Sequence, residues 1–500
     1  RFITCGSVDD GKSTLIGRLL HDTGSVPDDV LAAARRDSGR WGTTGEDLDL
    51  ALLVDGLHAE REQRITIDVA YRYFATARRR FVLADTPGHE QYTRNMATGA
   101  SGADLAVLLV DASRGLQPQT RRHAWIVRQF GIRRVVVALN KMDRVDWSRA
   151  AFGRLEEEAR AALAPLGFDS LEVVPLSALT GDHVVTRSAR MPWHAGPTLL
   201  EVLERVPLPR APAGDLRLPV QWVTRPDAAF RGYAGTIARG RVSVGDALVA
   251  LPSGIRGVVR TVDAPDGART EALAGEAVTI TFVDDLDVTR GQVLAPAGAP
   301  ATIARRIAAD VLWMADAPLV PGARYELKFA HRYVGASVAR LVHRIDVAGY
   351  VPQDAAALGL NDLGRCEFAL AEPVLVDAFE LAPVTGSFLV IDLDTHATVG
   401  AGLVRGVPAA NGAHAGPVTR QHRAAQKRQR PFVLWLTGLS GAGKTTVAAA
   451  AERALTAAGH HTYLLDGDRM REALNRDLGY GELDRRENLR RLVEVAATLV

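Results

Sequence analysis

Gly6-Ser7-Val8-Asp9-Asp10-Gly11-Lys12-Ser13 is the stretch on which the reading of this chain turns. It fits G-x-x-x-x-G-K-[ST] and lies between an apolar strand, residues 2–4, and a helical run that begins at Thr14. Glycines at those two places let backbone N–H groups close around phosphate oxygens. Lys12 puts a cation on the β and γ oxygens, and Ser13 offers a hydroxyl to Mg²⁺.

Working outward, three further motifs follow in order, each after an apolar run that reads as a strand. Asp85-Thr86-Pro87-Gly88-His89 follows residues 81–84. There Asp85 is placed to hold the Mg²⁺ shell, and the Gly88 N–H to sense the γ-phosphate. Asn140-Lys141-Met142-Asp143 follows residues 135–139, and the Asp143 carboxylate can accept from guanine N1–H and N2–H₂ together, a pair that adenine lacks. Ser177-Ala178-Leu179 follows residues 172–175, where a base-supporting loop belongs. Upstream of Asp85, Arg61-Glu-Gln-Arg-Ile-Thr66 supplies Thr66 as the candidate switch threonine that closes on Mg²⁺ and the γ-phosphate. Motifs at the carboxyl ends of successive strands, with residues 105–110 as a further strand, predict a parallel sheet wrapped by helices.

The expected architecture is multidomain. An α/β P-loop GTPase domain covers 1–205, β-barrels cover 215–300 and 301–405, a linker covers 406–430, and the start of a second α/β P-loop domain covers 431–500. The barrels are read from short Val-, Ile- and Thr-rich runs punctuated by Gly, Pro and Asp. A net charge of +2 argues against a chain built to coat nucleic acid, and the basic run 420–430 carries no interleaved aromatic residues. Two distant cysteines form no zinc or disulfide pattern, and no apolar run is long enough to cross a bilayer. A cytoplasmic protein without membrane or nucleic-acid partners is expected. The chain opens inside a strand and closes inside a helical pattern, so it reads as part of a longer protein.

These motifs resemble the translational GTPase superfamily, in which β-barrels follow the G domain. The resemblance makes His89 the residue that orients the attacking water, with Val8 and Ile65 as an apolar gate beside it. Residues 2–20, 65–74 and 85–101 are more specifically similar to the GTPase (large) subunit of bacterial sulfate adenylyltransferase, as are Tyr325-Glu-Leu-Lys-Phe329 and Asn361-Asp-Leu-Gly364. Translation factors usually carry His where this chain has Asp10, and Arg64 stands where the sulfate family usually has Gly. The resemblance implies a separate small catalytic subunit that joins ATP and sulfate into adenylyl sulfate, driven by GTP hydrolysis on this chain.

Gly438-Leu439-Ser440-Gly441-Ala442-Gly443-Lys444-Thr445-Thr446 is a second P-loop, between expected strands 432–437 and 462–465. With Asp466-Gly467-Asp468, Arg471, Asn475, Tyr480, Arg485 and Asn488, this segment resembles adenylyl-sulfate kinase. The resemblance gives ATP and Mg²⁺ to Lys444 and Thr445. It makes Asp468 the group that orients or deprotonates the ribose 3′-hydroxyl, and it gives adenylyl sulfate to Arg471, Arg485, Asn488 and a stacking Tyr480. Arg469 departs from the family's usual Asn, and Arg491 reads as a solvated helix face. An apolar stripe including Leu489, Leu492 and Val493 is expected to lie uncovered on the last helix. Two other readings stand beside this one, a translation-type GTPase that binds ribosome or tRNA and a GTP-gated binding module.

Overall fold

Leu105–Asp111 and Arg134–Asn140 are apolar along nearly their whole length and buried on both faces, which is the mark of central strands in a parallel sheet. The computed structural model describes residues 1–41, 48–54, 66–207, 213–227, 230–299, 301–408, 427, 429, 432–439, 441–472, 474–479 and 481–499. Arg64, Ile65, Ser440 and Tyr480 lie outside the described residues. The chain divides into two units, Arg1–Pro408 and Ala409–Val500.

The first unit opens with β1 (Phe2–Cys5), α1 (Lys12–Asp22), α2 (Asp28–Trp41), β2 (Ala70–Ala75), β3 (Arg80–Asp85), α3 (Thr93–Ser101), β4 (Leu105–Asp111), α4 (Pro118–Gln129), β5 (Arg134–Asn140), α5 (Arg149–Leu163), β6 (Ser170–Pro175) and α6 (Leu199–Arg205). The strands pair in the order β2-β3-β1-β4-β5-β6. All pairs are parallel except β2 with β3. Local chemistry sets the helix starts. Pro118 stands in the first turn of α4, Ser148 caps α5 by accepting from Ala151 N–H at 3.2 Å, and Thr198 and Glu201 form a reciprocal capping box on α6. α1 and α6 cover one face of the sheet, and α3, α4 and α5 cover the other.

Two large antiparallel sheets follow, with a two-stranded ribbon of Arg241–Ser243 and Glu271–Leu273 beside the first. In the first, strands Leu218–Pro219, Val293–Pro296, Ala247–Leu251, Ile255–Ala264, Ala277–Phe282, Gly232–Thr236 and Trp222–Thr224 lie in that order. Backbone bonds from Arg217 to Arg239 and from Gln221 to Ala234 join its beginning to its far side. In the second, Arg324–Phe329, Ser387–Ile391, Thr398–Gly406, Ile303–Trp313, Leu363–Leu375 and Arg332–Asp346 pair in order, and the last returns to the first. That is a closed six-stranded barrel, which leaves no free edge among those strands. Each sheet encloses its own apolar core. Leu312 and Leu363 of the closed barrel also join the core on the α4 side of the G domain.

In the second unit, α7 (Lys444–Ala457), α8 (Gly467–Glu472) and α9 (Glu482–Leu499) are formed. The strands expected at 432–437 and 462–465 are not: among the described residues neither segment has a ladder partner. A strand is a hydrogen-bonded pairing and not a property of one segment, so apolar β-formers alone do not make one. Phe432, Leu434 and Trp435 are correspondingly exposed. The apolar stripe on α9 is only partly uncovered, because Leu492 is buried while Leu489 and Val493 face outward.

The two barrels are stapled by one charge pair. Arg217 Nε donates to Asp377 Oδ2 at 2.9 Å, Nη2 donates to Oδ1 at 3.1 Å, and Thr385 Oγ1 donates to Asp377 Oδ2 at 2.6 Å. Both charged side chains are buried, at 3% and 9% exposure. Removing one partner strands the other charge out of water. Arg217→Ala should therefore lower the unfolding free energy of the barrels by about 3 kcal/mol, as read by guanidinium denaturation, whereas Arg241→Ala, in an exposed pair with Glu271, should change it little.

Candidate functional site

Gly11 ends the first loop in the left-handed conformation, φ +89°, as the N-cap of α1. A Cβ there would also stand 2.5 Å from Asn140 Nδ2, so the position excludes any side chain on two counts. Within the loop, the Asp10 carboxylate is buried and its Oδ2 accepts from Ser7 N–H at 2.6 Å. Burial raises the Asp10 pKa to about 6, against the opposing pull of Lys12. The Lys12 ammonium donates to Gly6 O at 3.2 Å and Ser7 O at 2.7 Å. It is held over the loop's own carbonyls, in the concavity where phosphate oxygens bind. Burial lowers its pKa, while Asp10 and Asp85 oppose the shift.

Asp85 ends β3 and is buried, in register with Thr4 of β1. Gly88 follows so closely on the first loop that a Cβ would collide with the Lys12 ammonium. His89 begins a short turn, Glu90–Tyr92, and its Nδ1 accepts from Gln91 N–H at 3.3 Å. Thr66 is half-buried, and Asn95 Nδ2 fixes the next residue by donating to Ile67 O at 2.7 Å.

The Asn140 side chain joins the phosphate loop to the base loop. Its Nδ2 donates to Asp10 O at 2.7 Å, and its Oδ1 accepts from Ala178 N–H at 2.9 Å. Lys141 is held by Asp9 O and by Asp111 Oδ2, the latter at 2.8 Å. Arg18 ties α1 to the carbonyls of Ala178 and Leu179. Within this frame Asp143 Oδ1 is buried without a hydrogen-bond partner among the described residues. A buried acceptor left open is the feature a guanine edge would fill.

Sequence reasoning missed the brace behind the first loop. His123, on α4, is fully buried, and its Nδ1 accepts from Gly6 N–H at 3.1 Å, which places its proton on Nε2. One turn earlier, Thr120 Oγ1 meets Ser7 Oγ at 2.9 Å. Two polar residues three apart on the buried face of an amphipathic helix were the available signal.

The second loop repeats the first. Gly438 and Gly443 have φ +151° and +78°, close to +147° and +89° at Gly6 and Gly11. Lys444 Nζ donates to Gly438 O at 2.9 Å and Leu439 O at 2.7 Å. Thr445 Oγ1 donates to Asp466 Oδ2 at 3.1 Å. Asp468 pairs with Arg471 at 2.9 Å, and Arg485 is exposed. Asn488 is buried, its Oδ1 accepting from Asn475 Nδ2 at 2.7 Å. Arg491 is ion-paired with Asp477 and Glu487.

Residues 1–208 match the elongation factor Tu GTP-binding domain model, 306–405 the GTP-eEF1A C-terminal domain-like model, and 430–500 the adenylylsulphate kinase model. The bifunctional enzyme CysN/CysC of Xylella fastidiosa is 52% identical over 504 residues, 100% of this chain and 81% of that protein. The bifunctional enzyme NodQ of Azospirillum brasilense is 52% identical over 503 residues, 99% of this chain and 81% of its own length. Sulfate adenylyltransferase subunit 1 of Salmonella newport is 52% identical over 407 residues, 81% of this chain and 85% of that subunit. The translation-type reading gives way here, since the relatives matched across the chain at about half identity are bifunctional CysN/CysC and NodQ enzymes and a sulfate adenylyltransferase subunit, and translation GTPases are only a distant relation.

The brace behind the first loop yields a pH test. Burial first, then the charges of Lys12 and Arg122, lower the His123 pKa from 6.5 to about 3. An unfolded His123 takes up its proton near 6.5, the folded one only near 3. Its contribution is therefore whole above pH 6.5 and is lost as pH falls toward 3, by about 1.4 kcal/mol per pH unit. His123→Phe removes this titration, so its destabilisation in urea unfolding should be larger at pH 7.5 than at pH 5. Asp10 titrates in the opposite sense in both proteins and cancels in the difference.

Proposed function

The chain belongs to the family of the bifunctional CysN/CysC and NodQ enzymes, in which a sulfate adenylyltransferase GTPase subunit is fused to an adenylylsulphate kinase; from that premise we propose how its residues divide the work. The unit up to Pro408 binds and hydrolyses GTP, and the hydrolysis drives a separate small subunit to form adenylyl sulfate from ATP and sulfate. After the linker, the segment from residue 431 onward belongs to the kinase that transfers a phosphoryl group from ATP to the 3′-hydroxyl of adenylyl sulfate. Product of the first activity is substrate of the second, so consumption pulls an unfavourable synthesis forward. Cytoplasmic work fits the substrates, and no helix among the described residues is long and apolar enough to cross a membrane.

The observation that carries the GTP reading is the open Asp143 oxygen in the frame built by Asn140. Asp143 accepts from both guanine donors, and Ser177, Ala178 and Leu179 support the base. Lys12 leaves the carbonyls of Gly6 and Ser7 for the phosphates, which the loop N–H groups from Val8 to Thr14 surround. Mg²⁺ suits the oxygen donors present, the Ser13 and Thr66 hydroxyls and the Asp85 carboxylate, and would neutralise phosphate charge when bound. His89 turns its ring from its own turn to orient water, and Gly88 senses the γ-phosphate through its N–H.

In the kinase segment, Lys444 and Thr445 serve ATP and its Mg²⁺. Asp468 receives or orients the ribose hydroxyl proton, and Arg471, Tyr480, Arg485 and Asn488 bind adenylyl sulfate.

Two variants test this. Asp143→Asn should lose GTP affinity by about 2–4 kcal/mol, since it removes a charge-assisted acceptor pair, and should gain affinity for xanthosine triphosphate, whose C2 oxygen suits an amide donor. Unchanged GTP affinity would dismiss the base assignment. His89→Ala should slow GTP hydrolysis by roughly 10²–10⁴-fold with GTP binding nearly intact. With the small subunit present, the same variant should make adenylyl sulfate only at the GTP-independent rate.

A further inference from the structure

Asn361 lies in a turn of the closed barrel, yet its side chain works in the G domain. The turn is rigid. Asn361 N–H donates to Trp313 O at 2.9 Å, Trp313 N–H to Asp362 O at 3.0 Å, and Gly359 N–H to Asp362 Oδ2 at 2.8 Å. Asn361 itself has φ +63°, a left-handed conformation that Asn tolerates better than most residues, and it is 4% exposed. From this fixed base its Nδ2 donates to Glu90 O at 2.9 Å.

Glu90 is the residue after His89. Its carbonyl also accepts from Thr93 Oγ1 at 2.7 Å, and the His89 carbonyl accepts from Tyr92 N–H at 3.0 Å. The Glu90 carboxylate is paired with Arg122 of α4. The barrel itself is anchored beside this point, with Tyr350 Oη donating to Arg121 O at 3.1 Å and Leu312 and Leu363 packed into the G-domain core. The backbone that carries His89 is thus gripped on one side by its own turn and on the other by the second barrel.

We propose that Asn361 is a positioning residue for GTP hydrolysis: by holding the Glu90 carbonyl it makes the closed barrel set the direction in which His89 is presented to the nucleotide. The proposal rests on the reading of His89 as the water-orienting residue. Its physical basis is geometric, since a reacting group displaced by about 1 Å loses roughly 10²-fold in rate, and one hydrogen bond at the adjacent peptide controls part of that displacement.

Two substitutions keep the left-handed backbone and remove the N–H donor, Asn361→Asp, which keeps the shape, and Asn361→Gly, which introduces no carboxylate. In the full chain, each should lower kcat for GTP hydrolysis roughly 10-fold, with KM and GTP affinity within about twofold and the thermal midpoint little changed. Added to His89→Ala, Asn361→Asp should slow turnover no further, because it acts through that residue. Normal kcat in both Asn361 variants, with His89→Ala slow, overturns the positioning role and leaves the His89 reading standing. Additive slowing in the double variant, or a fall in affinity matching the fall in kcat, also overturns it. Normal turnover in His89→Ala overturns the His89 reading and this proposal with it.

Discussion

One side-chain amide holds the two halves of the first nucleotide site together. Asn140 Nδ2 grips Asp10 O and its Oδ1 receives Ala178 N–H, so the loop for phosphate and the loop for the base are set at a fixed separation. The amide is buried, and in that low-dielectric setting both bonds are strong and costly to leave unmade. The glycine at position 11 follows from it, since the amide occupies the space of a Cβ. So does the openness of Asp143: its neighbours are committed elsewhere, and its inner oxygen has no hydrogen-bond partner among the described residues.

Both loops solve one electrostatic problem in one way. A lysine that must meet phosphate has to be kept near the loop without a permanent carboxylate partner, which would compete with the ligand. Lys12 and Lys444 each rest on the carbonyls of the first two loop residues, partial charges that a triphosphate easily outbids. The settings differ. Lys12 is buried, and its amide cradle is backed by His123 and Thr120 from α4, whereas Lys444 is only half-buried.

The barrels bear on the G domain through chemistry of two kinds. Apolar contact through Leu312 and Leu363 fixes position, and directed hydrogen bonds from Asn361 and Tyr350 fix orientation. The buried Arg217–Asp377 pair ties the first of the two sheets to the closed barrel.

The amino-acid sequence by itself determined the order of motifs, the parallel sheet and the barrel class, because each depends on local rules. Glycine and lysine spacing makes a phosphate loop, unbroken apolar runs make central strands, and Asp143 is read from its place behind Asn140-Lys141. The same local rules overreached at 432–437 and 462–465, where β-forming residues found no partner among the described residues. Tertiary structure alone decided that His123 backs Gly6, that Asn140 bridges Asp10 to Ala178, and that Asn361, 271 residues from Glu90, reaches its carbonyl. Such contacts are set by how whole elements pack, a sum over many weak apolar contacts that no single residue encodes, whereas a turn or a loop is encoded in the residues that form it.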